Sequence, residues 1–218
     1  MTTATAEAPS IVEIGPHRLE GMLVTPRHAL GLVIFAHGSG SSRLSPRNAR
    51  VSKGLNQFGL ATLRFDLLTS GEARDRANVF DIALLARRLL DALQWSRWHA
   101  GTRTLPVGLF GASTGAAAAL VAAADSPIGV GAVVSRGGRP DLAGDALARV
   151  RAPVLLIVGG SDHDVLERNE AAFERLHCEK ALTVVPGATH LFEEPGALEE
   201  VIADAGEWFE RHLALEAD

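Results

Sequence analysis

The stretch Leu105-Pro-Val-Gly-Leu-Phe-Gly-Ala-Ser-Thr-Gly-Ala-Ala-Ala-Ala-Leu120 decides the fold. It begins with a short apolar run, Val107 to Phe110, and ends in an alanine-rich run, residues 116–124, of high helix propensity. The turn between them, Gly111-Ala-Ser-Thr-Gly115, matches G-x-S-x-G. A strand, a sharp turn with serine at its apex and a helix together form a nucleophile elbow. The stretch therefore predicts that Ser113 is a nucleophile; the alternative is a glycine-rich helix start with a serine in its first turn.

Composition limits the class of protein. The chain has 218 residues, of which 47% are hydrophobic and 22% charged, as in an ordinary globular protein. We predict one α/β domain over residues 11–218, preceded by a flexible N-terminal tail over residues 1–10. The formal net charge is -5 and no basic stripe is present, so we expect no nucleic-acid partner. The sequence leaves a monomer and a homodimer equally open.

Two further features bear on location. No run of 18 apolar residues occurs, so we expect no membrane span. Residues 1–10 lack the basic and apolar regions of a secretory signal. Cys178 is the only cysteine, so no intrachain disulfide can form, which fits a reducing compartment. We therefore expect a cytoplasmic protein.

Strand and helix patterns alternate along the chain. Short apolar runs predict about eight strands, at residues 11–14, 19–24, 31–36, 60–65, 107–110, 128–134, 153–158 and 181–185. The first two form an antiparallel hairpin at a sheet edge, and helical patterns separate most of the others, ending with residues 197–213. Alternating strands and helices predict a mostly parallel twisted sheet flanked by helices, whose ligands bind beyond the carboxyl ends of the strands.

A serine nucleophile needs a base and an acid that orients the base. His190 follows the last predicted strand, and Asp162 follows the strand before it. The order Ser113, Asp162, His190 is that of the α/β-hydrolase fold. Asp164 is an alternative to Asp162, although its position suits a helix N-cap. Cys178 lies at the opposite edge of the predicted sheet and is interpreted as a packing residue.

The loop His37-Gly-Ser-Gly-Ser-Ser-Arg43 follows the third predicted strand. We predict that the backbone N–H groups of Ser39 and Thr114 form an oxyanion hole, with Gly40 as the alternative to Ser39. Gly38 and Gly40 are also predicted to contact the substrate. We expect the side chain of His37 to brace this loop.

Four arginines follow predicted strands or begin helices, so they are expected at the same sheet edge. They give a positive rim for an anionic acyl or leaving group, and Arg43 and Arg136 are predicted to bind substrate. The alternative is that they form salt bridges with nearby acids. The four arginines are Arg43, Arg47, Arg136 and Arg139, and the candidate acids are Asp66, Glu72, Asp75 and Asp141.

Over nearly its whole length the sequence resembles the dienelactone-hydrolase-related group of α/β-hydrolases. The resemblance is carried by residues 37–43, 45–48, 65–69, 111–115, 135–141, 159–162 and 187–190. It implies the triad Ser113, Asp162 and His190, and hydrolysis of an ester-type bond without a metal or an organic cofactor. The namesake dienelactone hydrolases use a cysteine nucleophile where this chain has Ser113, a departure that favours a serine esterase over a lactone hydrolase.

The chain has no long insertion between the elbow and Asp162, since residues 135–152 are too few for a helical lid. We therefore expect an open, shallow site. The predicted function is a serine hydrolase that cleaves carboxylic esters of small or soluble substrates through an acyl-enzyme. A thioesterase or acyltransferase using the same triad is the first alternative, and a catalytically silent binding protein of the same fold is the second.

Overall fold

A computed structural model describes residues 8–214, which form a single eight-stranded sheet between two layers of helices. The strands follow the spatial order β1-β2-β4-β3-β5-β6-β7-β8. Their bounds are β1 Ser10–Ile14, β2 Leu19–Val24, β3 Leu32–Ala36, β4 Ala61–Phe65, β5 Val107–Ala112, β6 Ala132–Arg136, β7 Val154–Gly159 and β8 Lys180–Val185. The helices are α1 Pro46–Gln57, α2 Arg76–Phe80, α3 Ile82–Trp98, α4 Thr114–Asp125, α5 His163–Arg175 and α6 Ala197–Leu213.

The predicted fold class is confirmed. The β1 and β2 strands form an antiparallel hairpin, and β2 joins the sheet antiparallel to β4. The remaining neighbours, from β4 through β3 and β5 to β8, all pair in parallel. The carboxyl ends of these parallel strands therefore meet at one edge of the sheet. Of the predicted N-terminal tail, residues 1–7 lie outside the described part of the chain, whereas Ser10 already belongs to β1.

Each face of the sheet is covered by its own group of helices. The α1 and α6 helices pack with Phe35, Phe110 and the other residues of one apolar core. The α3, α4 and α5 helices pack over the opposite face. Alanine dominates α4, and residues 116–119 are completely buried. These small side chains allow α4 to lie close to the strands, which fixes the position of its N-terminus.

The sixth strand differs from the sequence prediction. It was expected at residues 128–134, but it spans Ala132–Arg136. Gly129 has a φ of 71°, a left-handed conformation that an extended strand does not accommodate. The strand therefore starts later and ends later, and its last residue is Arg136, which was expected in a loop.

Apolar residues that recur every three or four positions predict a helix from Phe80 to Trp98, but α3 begins at Ile82. Asp81 caps it, because its side chain accepts a hydrogen bond of 2.9 Å from the Leu84 N–H. Residues Arg76–Phe80 instead form the separate short helix α2. Asp81 separates α2 from α3. The α2 helix therefore lies beside the loop that follows β4, next to the sheet edge where the site lies.

Residues 135–152, which were expected to be too few for a lid, contain the end of β6 and a ten-residue 3-10 segment, Pro140–Arg149. It is kinked at Gly144, where φ is 56°.

Across residues 8–214, the helices lack the combination of length and apolar character that crossing a membrane requires.

Candidate active site

Ser113 lies between β5 and α4 in a strained backbone conformation, with φ 52° and ψ -124°. A positive φ is uncommon for a residue with a side chain and is retained where the surrounding structure enforces it. The Ser113 N–H donates to the Arg136 carbonyl at 3.3 Å, and the Ser113 carbonyl accepts from the Arg139 N–H at 3.1 Å. The turn that follows β6 therefore holds this elbow in place.

Close backbone contacts explain the two glycines of the elbow. A Cβ atom on Gly111 would lie 2.4 Å from the Ala116 Cα atom. A Cβ atom on Gly115 would lie 2.2 Å from the Ala36 carbonyl oxygen. Both separations are far inside van der Waals contact, so the tight turn of the chain requires glycine at both positions.

His190 and Asp162 are joined by a short hydrogen bond. The His190 Nδ1 atom lies 2.7 Å from the Asp162 Oδ2 atom. Asp162 occupies the N-cap position of α5, yet its side chain does not cap the helix. Asp164, the alternative acid, lies exposed in the first turn of the same helix. The carboxylate that fixes the imidazole orientation is therefore that of Asp162.

Ser113 and His190 line the same cavity, with a volume of about 220 Å³. The loop after β3 forms one wall of this cavity through Gly38, Ser39 and Ser41. The loop lies very close to the elbow, since a Cβ atom on Gly38 would be 3.0 Å from the Ser113 Cβ atom. The three residues predicted as a triad are thus brought together at the carboxyl edge of the sheet.

The predicted oxyanion hole has an unexpected hydrogen bond. The Ser39 N–H, predicted to receive the oxyanion, donates to the Thr114 Oγ1 atom at 3.0 Å. Its backbone donor is therefore already engaged. Gly40, the alternative donor, lines an adjoining cavity and is absent from the lining around Ser113. Of the two, only Ser39 lines the cavity that contains Ser113.

His37 braces the loop that carries Ser39. Its Nε2 atom accepts a hydrogen bond of 3.1 Å from the Leu67 N–H. Its Nδ1 atom lies 3.0 Å from the Gly38 carbonyl, so this nitrogen carries the proton. Burial lowers the pKa of His37 below its ordinary value, against the raising effects of the hydrogen bond to Gly38 and the charge of Asp66. The neutral ring therefore links the loops after β3 and β4.

This neutral ring makes a prediction about pH and stability. Because the folded-state pKa of His37 is lowered, the unfolded chain binds a proton first as the pH falls below about 6.5. Below that pH, the free energy of unfolding should decrease by at most about 1.4 kcal/mol per pH unit, until the folded protein also binds the proton. Urea unfolding of the wild type between pH 7.5 and pH 5 measures this decline.

The variant His37→Gln isolates the contribution of this histidine. Glutamine can accept a hydrogen bond from the Leu67 N–H but does not titrate. The free energy of unfolding of the variant should therefore decrease less steeply than that of the wild type as the pH falls. Burial also lowers the pKa of His212, but that contribution is common to both proteins and cancels in the comparison. Parallel stability curves for the wild type and the variant would refute the role assigned to His37.

Salt bridges to the candidate acids named from the sequence account for two of the four arginines. Arg43, predicted to bind substrate, pairs with Asp66 and also with Glu20 at 2.6 Å. Arg139 pairs with Asp141 at 2.7 Å. The salt-bridge alternative therefore describes Arg43 and Arg139, and the geometry gives no support to substrate binding by Arg43.

Arg47 and Arg136 behave differently. Both line the cavity that contains Ser113. Arg47 forms an exposed salt bridge of 3.0 Å with Glu193. Arg136 is buried, and within residues 8–214 it forms no salt bridge.

Cys178 lies between α5 and β8, at the amino end of the last strand and far along the chain from the elbow. Burial raises the pKa of its thiol above the ordinary value, which disfavours the reactive thiolate. The interpretation of this residue as a packing residue agrees with its environment.

The sequence analysis missed two residues near the site. Asn48 in the first turn of α1 is 3% exposed and lines the cavity. Phe192 is fully buried with a φ of 55°, and its ring lies beside the guanidinium of Arg136. The sequence offered one signal for Phe192, namely its position two residues after His190, the predicted base.

Comparisons with known proteins identify the family and support the fold. A family model described as the dienelactone hydrolase family matches residues 19–214. The crystal structure of a dienelactone hydrolase from Anabaena variabilis is 54% identical, covers 96% of this chain and 98% of its own, and gives a TM-score of 0.90. An esterase from Pyrococcus furiosus is 18% identical over 94% of this chain and 91% of its own, with a TM-score of 0.71, and shows the same fold.

One curated relative has a different name. A protein of Mycobacterium tuberculosis that is provisionally named as a phosphoribosyl transferase is 60% identical over 202 residues. The match covers 93% of this chain but 46% of that protein. The chain therefore spans about half the length of the curated relatives that it matches.

Proposed function

Because the chain belongs to the dienelactone hydrolase family, we propose that it is a serine hydrolase that cleaves the ester bonds of small carboxylic esters. The observation that carries the proposal is the 2.7 Å contact between His190 Nδ1 and Asp162 Oδ2, at the cavity that Ser113 and His190 share. A histidine oriented in this way holds its proton on Nδ1 and leaves Nε2 free to accept one. That tautomer is the one a serine nucleophile requires.

The reaction proceeds in two balanced halves. Ser113 Oγ attacks the acyl carbon while His190 Nε2 takes the hydroxyl proton, and collapse of the tetrahedral intermediate releases the alcohol, which receives that proton. Water then attacks the acyl-enzyme and gives a proton to His190. Collapse of the second intermediate releases the acid, and the proton returns to Ser113. Asp162 remains ionised and stabilises the imidazolium in both halves.

Backbone donors stabilise the oxyanion in this proposal. The Thr114 N–H lies at the N-terminus of α4, where the helix dipole also favours negative charge. The developing oxyanion replaces the Thr114 hydroxyl as the acceptor for the Ser39 N–H. A donor of this kind is worth about 3 kcal/mol in the transition state.

An adjoining cavity of about 360 Å³ suits the apolar part of the ester. It lies beyond the loop Gly38–Ser42, and Leu67, Val79 and Leu85 contribute to its lining. Ser39 lines both cavities, so a substrate can extend from one to the other past the oxyanion loop. The size of this cavity favours short acyl or alcohol groups.

The transferase name of the mycobacterial relative describes a protein of which 54% has no counterpart in this chain, so we do not carry that activity over. Thioester hydrolysis and acyl transfer use the same triad. Parallel assays with an oxygen ester, the matching thioester and an added alcohol acceptor separate the three activities.

Covalent labelling tests the proposal. A fluorophosphonate probe should modify the folded wild-type protein once, at Ser113, and should abolish hydrolysis of p-nitrophenyl acetate in proportion to the label. Peptide mass spectrometry identifies the labelled residue. The variant Cys178→Ala controls for thiol reactivity and should label normally. Hydrolysis that persists after complete labelling of Ser113, or a folded protein that takes no label, would contradict the proposal.

A further inference from the structure

Two adjoining cavities separate the two parts of an ester. The serine cavity contains Ser113 and His190, and the apolar cavity of about 360 Å³ adjoins it at Ser39, which lines both. In the proposed reaction His190 Nε2 gives its proton to the leaving alcohol, so the alcohol oxygen must lie in the serine cavity. His190 lines the serine cavity but not the apolar cavity. The acyl chain is therefore the part of the ester that remains for the apolar cavity.

Two ionisable side chains border the apolar cavity, and both already have partners. The ring nitrogens of His37 are engaged by the Leu67 N–H and the Gly38 carbonyl. The Asp66 carboxylate accepts a hydrogen bond of 2.7 Å from the Arg43 N–H and pairs with the Arg43 guanidinium. A group that enters this cavity therefore gains chiefly from burial of apolar surface, which favours a hydrocarbon chain over a charged group.

The apolar part of the cavity wall comes from residues of different rigidity. Leu67 and Leu85 line the cavity and are also buried in the core of the protein, so their positions are fixed by packing. Val79, on the short helix α2, lines the same cavity but is only partly buried. It does not line the serine cavity, so an acyl chain meets Val79 only after it has passed Ser39.

The segment that carries Val79 is anchored by polar contacts at Glu72. Arg88 of α3, which is 5% exposed, donates to the Glu72 carboxylate at 2.7 Å. The Asn78 side chain donates to the Glu72 carbonyl at 3.1 Å and so connects α2 to this anchor. The α2 helix lies wholly within the described part of the chain and contains no buried side chain. A substitution at Val79 should therefore change the cavity with little loss of stability.

Building on the serine hydrolase function proposed above, we propose that the apolar cavity binds the acyl chain of the substrate and that Val79 sets the length of chain that it accepts. The substrates are then esters of short aliphatic carboxylic acids. Each methylene group that the cavity buries should raise kcat/KM by about fourfold, until the chain reaches Val79. A longer chain must displace α2 or remain in water, so the increase stops there. Val79 determines specificity and takes no part in bond making.

A series of p-nitrophenyl esters from acetate to octanoate tests this assignment. After subtraction of spontaneous hydrolysis, kcat/KM of the wild type should rise with acyl length up to a limit. Val79→Ala should raise kcat/KM by about fourfold for the first ester beyond that limit, because it makes room for a further methylene group. Val79→Phe should lower kcat/KM by about 10-fold for the longest accepted ester and leave acetate within about threefold. The same profile in all three proteins would overturn the proposal.

Matched controls separate chain length from folding and from the alcohol part of the ester. Val184→Phe makes the same change on β8, at a residue that is 40% exposed and lines neither cavity, so the wild-type profile should persist. Acetate esters of alcohols from ethanol to hexanol should be hydrolysed with the same length dependence by the wild type and Val79→Phe. A change confined to the alcohol series would overturn the acyl assignment. If Val79→Phe does not fold by circular dichroism, Val79→Ala decides the test.

Thermal shifts measure binding without turnover when Ser113→Ala is used. Ethyl hexanoate should raise the melting temperature of this variant more than ethyl acetate does, and adding Val79→Phe should abolish the difference. Equal shifts from the two esters in Ser113→Ala would overturn the proposal. If the expected difference is found but the wild type hydrolyses no ester, the proposed function fails and the acyl cavity stands. If the wild type hydrolyses esters and Val79→Phe slows all of them equally, the reverse holds.

Discussion

Replacing Ser113 by alanine is expected to lower kcat for p-nitrophenyl acetate by about 10⁴-fold or more. The substitution removes the atom that forms the acyl-enzyme, and the remaining contacts around the cavity cannot replace it. The protein should still fold, because the Ser113 side chain is not one of the groups that hold the elbow: backbone bonds to Arg136 and Arg139 do so. Steady-state kinetics and circular dichroism on the same preparation measure both outcomes.

Ser39→Ala is the matched control for this substitution. Ser39 lines the same cavity, but only its backbone N–H is assigned a role in catalysis, and alanine retains that group. The variant should keep kcat within about threefold of the wild type, well inside the effect of one lost oxyanion donor. Wild-type activity in Ser113→Ala would show that another residue is the nucleophile.

The sequence allowed the fold and the shared sheet edge of three candidate residues to be predicted, because both follow from topology. Ser113, Asp162 and His190 each follow a parallel strand, and the carboxyl ends of parallel strands share one edge of the sheet. Their proximity could therefore be predicted without knowledge of side-chain contacts. The glycines of the elbow were likewise predictable, since a strand that turns straight into a helix leaves little space for a Cβ atom.

Contacts that depend on side-chain conformation could not be predicted from topology. The sequence offers several acids to each arginine, and only the structure distinguishes the paired Arg43 from the unpaired Arg136. The extension of β6 by two residues at its end, from residue 134 to Arg136, changed the interpretation of Arg136 most, because it moved this residue from a loop into a buried strand end. The hydrogen bond between Ser39 and Thr114 depends on the orientation of one hydroxyl group, which no pattern in the sequence encodes.

A buried charge and a strained backbone lie side by side at this sheet edge. Ser113 holds a positive φ and donates its N–H to the carbonyl of Arg136. The Nε and Nη1 atoms of Arg136 are buried without a hydrogen-bond partner in the part of the chain that the structure describes. Both features cost stability, and proteins tend to keep such costs where function requires them. The same hydrogen bond links Ser113 to the last residue of β6, so the position of the proposed attacking atom depends on that strand end.

Replacing Asp162 by asparagine is expected to lower kcat by about 10⁴-fold with little change in fold. The amide fills the same space, but its N–H₂ group donates to His190 Nδ1, whereas the carboxylate accepted a hydrogen bond from the Nδ1–H. The imidazole then carries its proton on Nε2 and cannot take the proton from Ser113. Steady-state kinetics with p-nitrophenyl acetate measure the loss, and a slower rate of fluorophosphonate labelling should accompany it.

Asp164→Asn distinguishes the two acids, because it makes the same chemical change two residues away. Asp164 is exposed in the first turn of α5, where its charge favours the helix N-terminus by about 0.3–1 kcal/mol at most. We therefore expect a small loss of stability and a kcat within about twofold of the wild type. A larger loss of kcat in Asp164→Asn than in Asp162→Asn would transfer the orienting role to Asp164. The 2.7 Å contact with His190 belongs to Asp162, and for that reason we expect the opposite order.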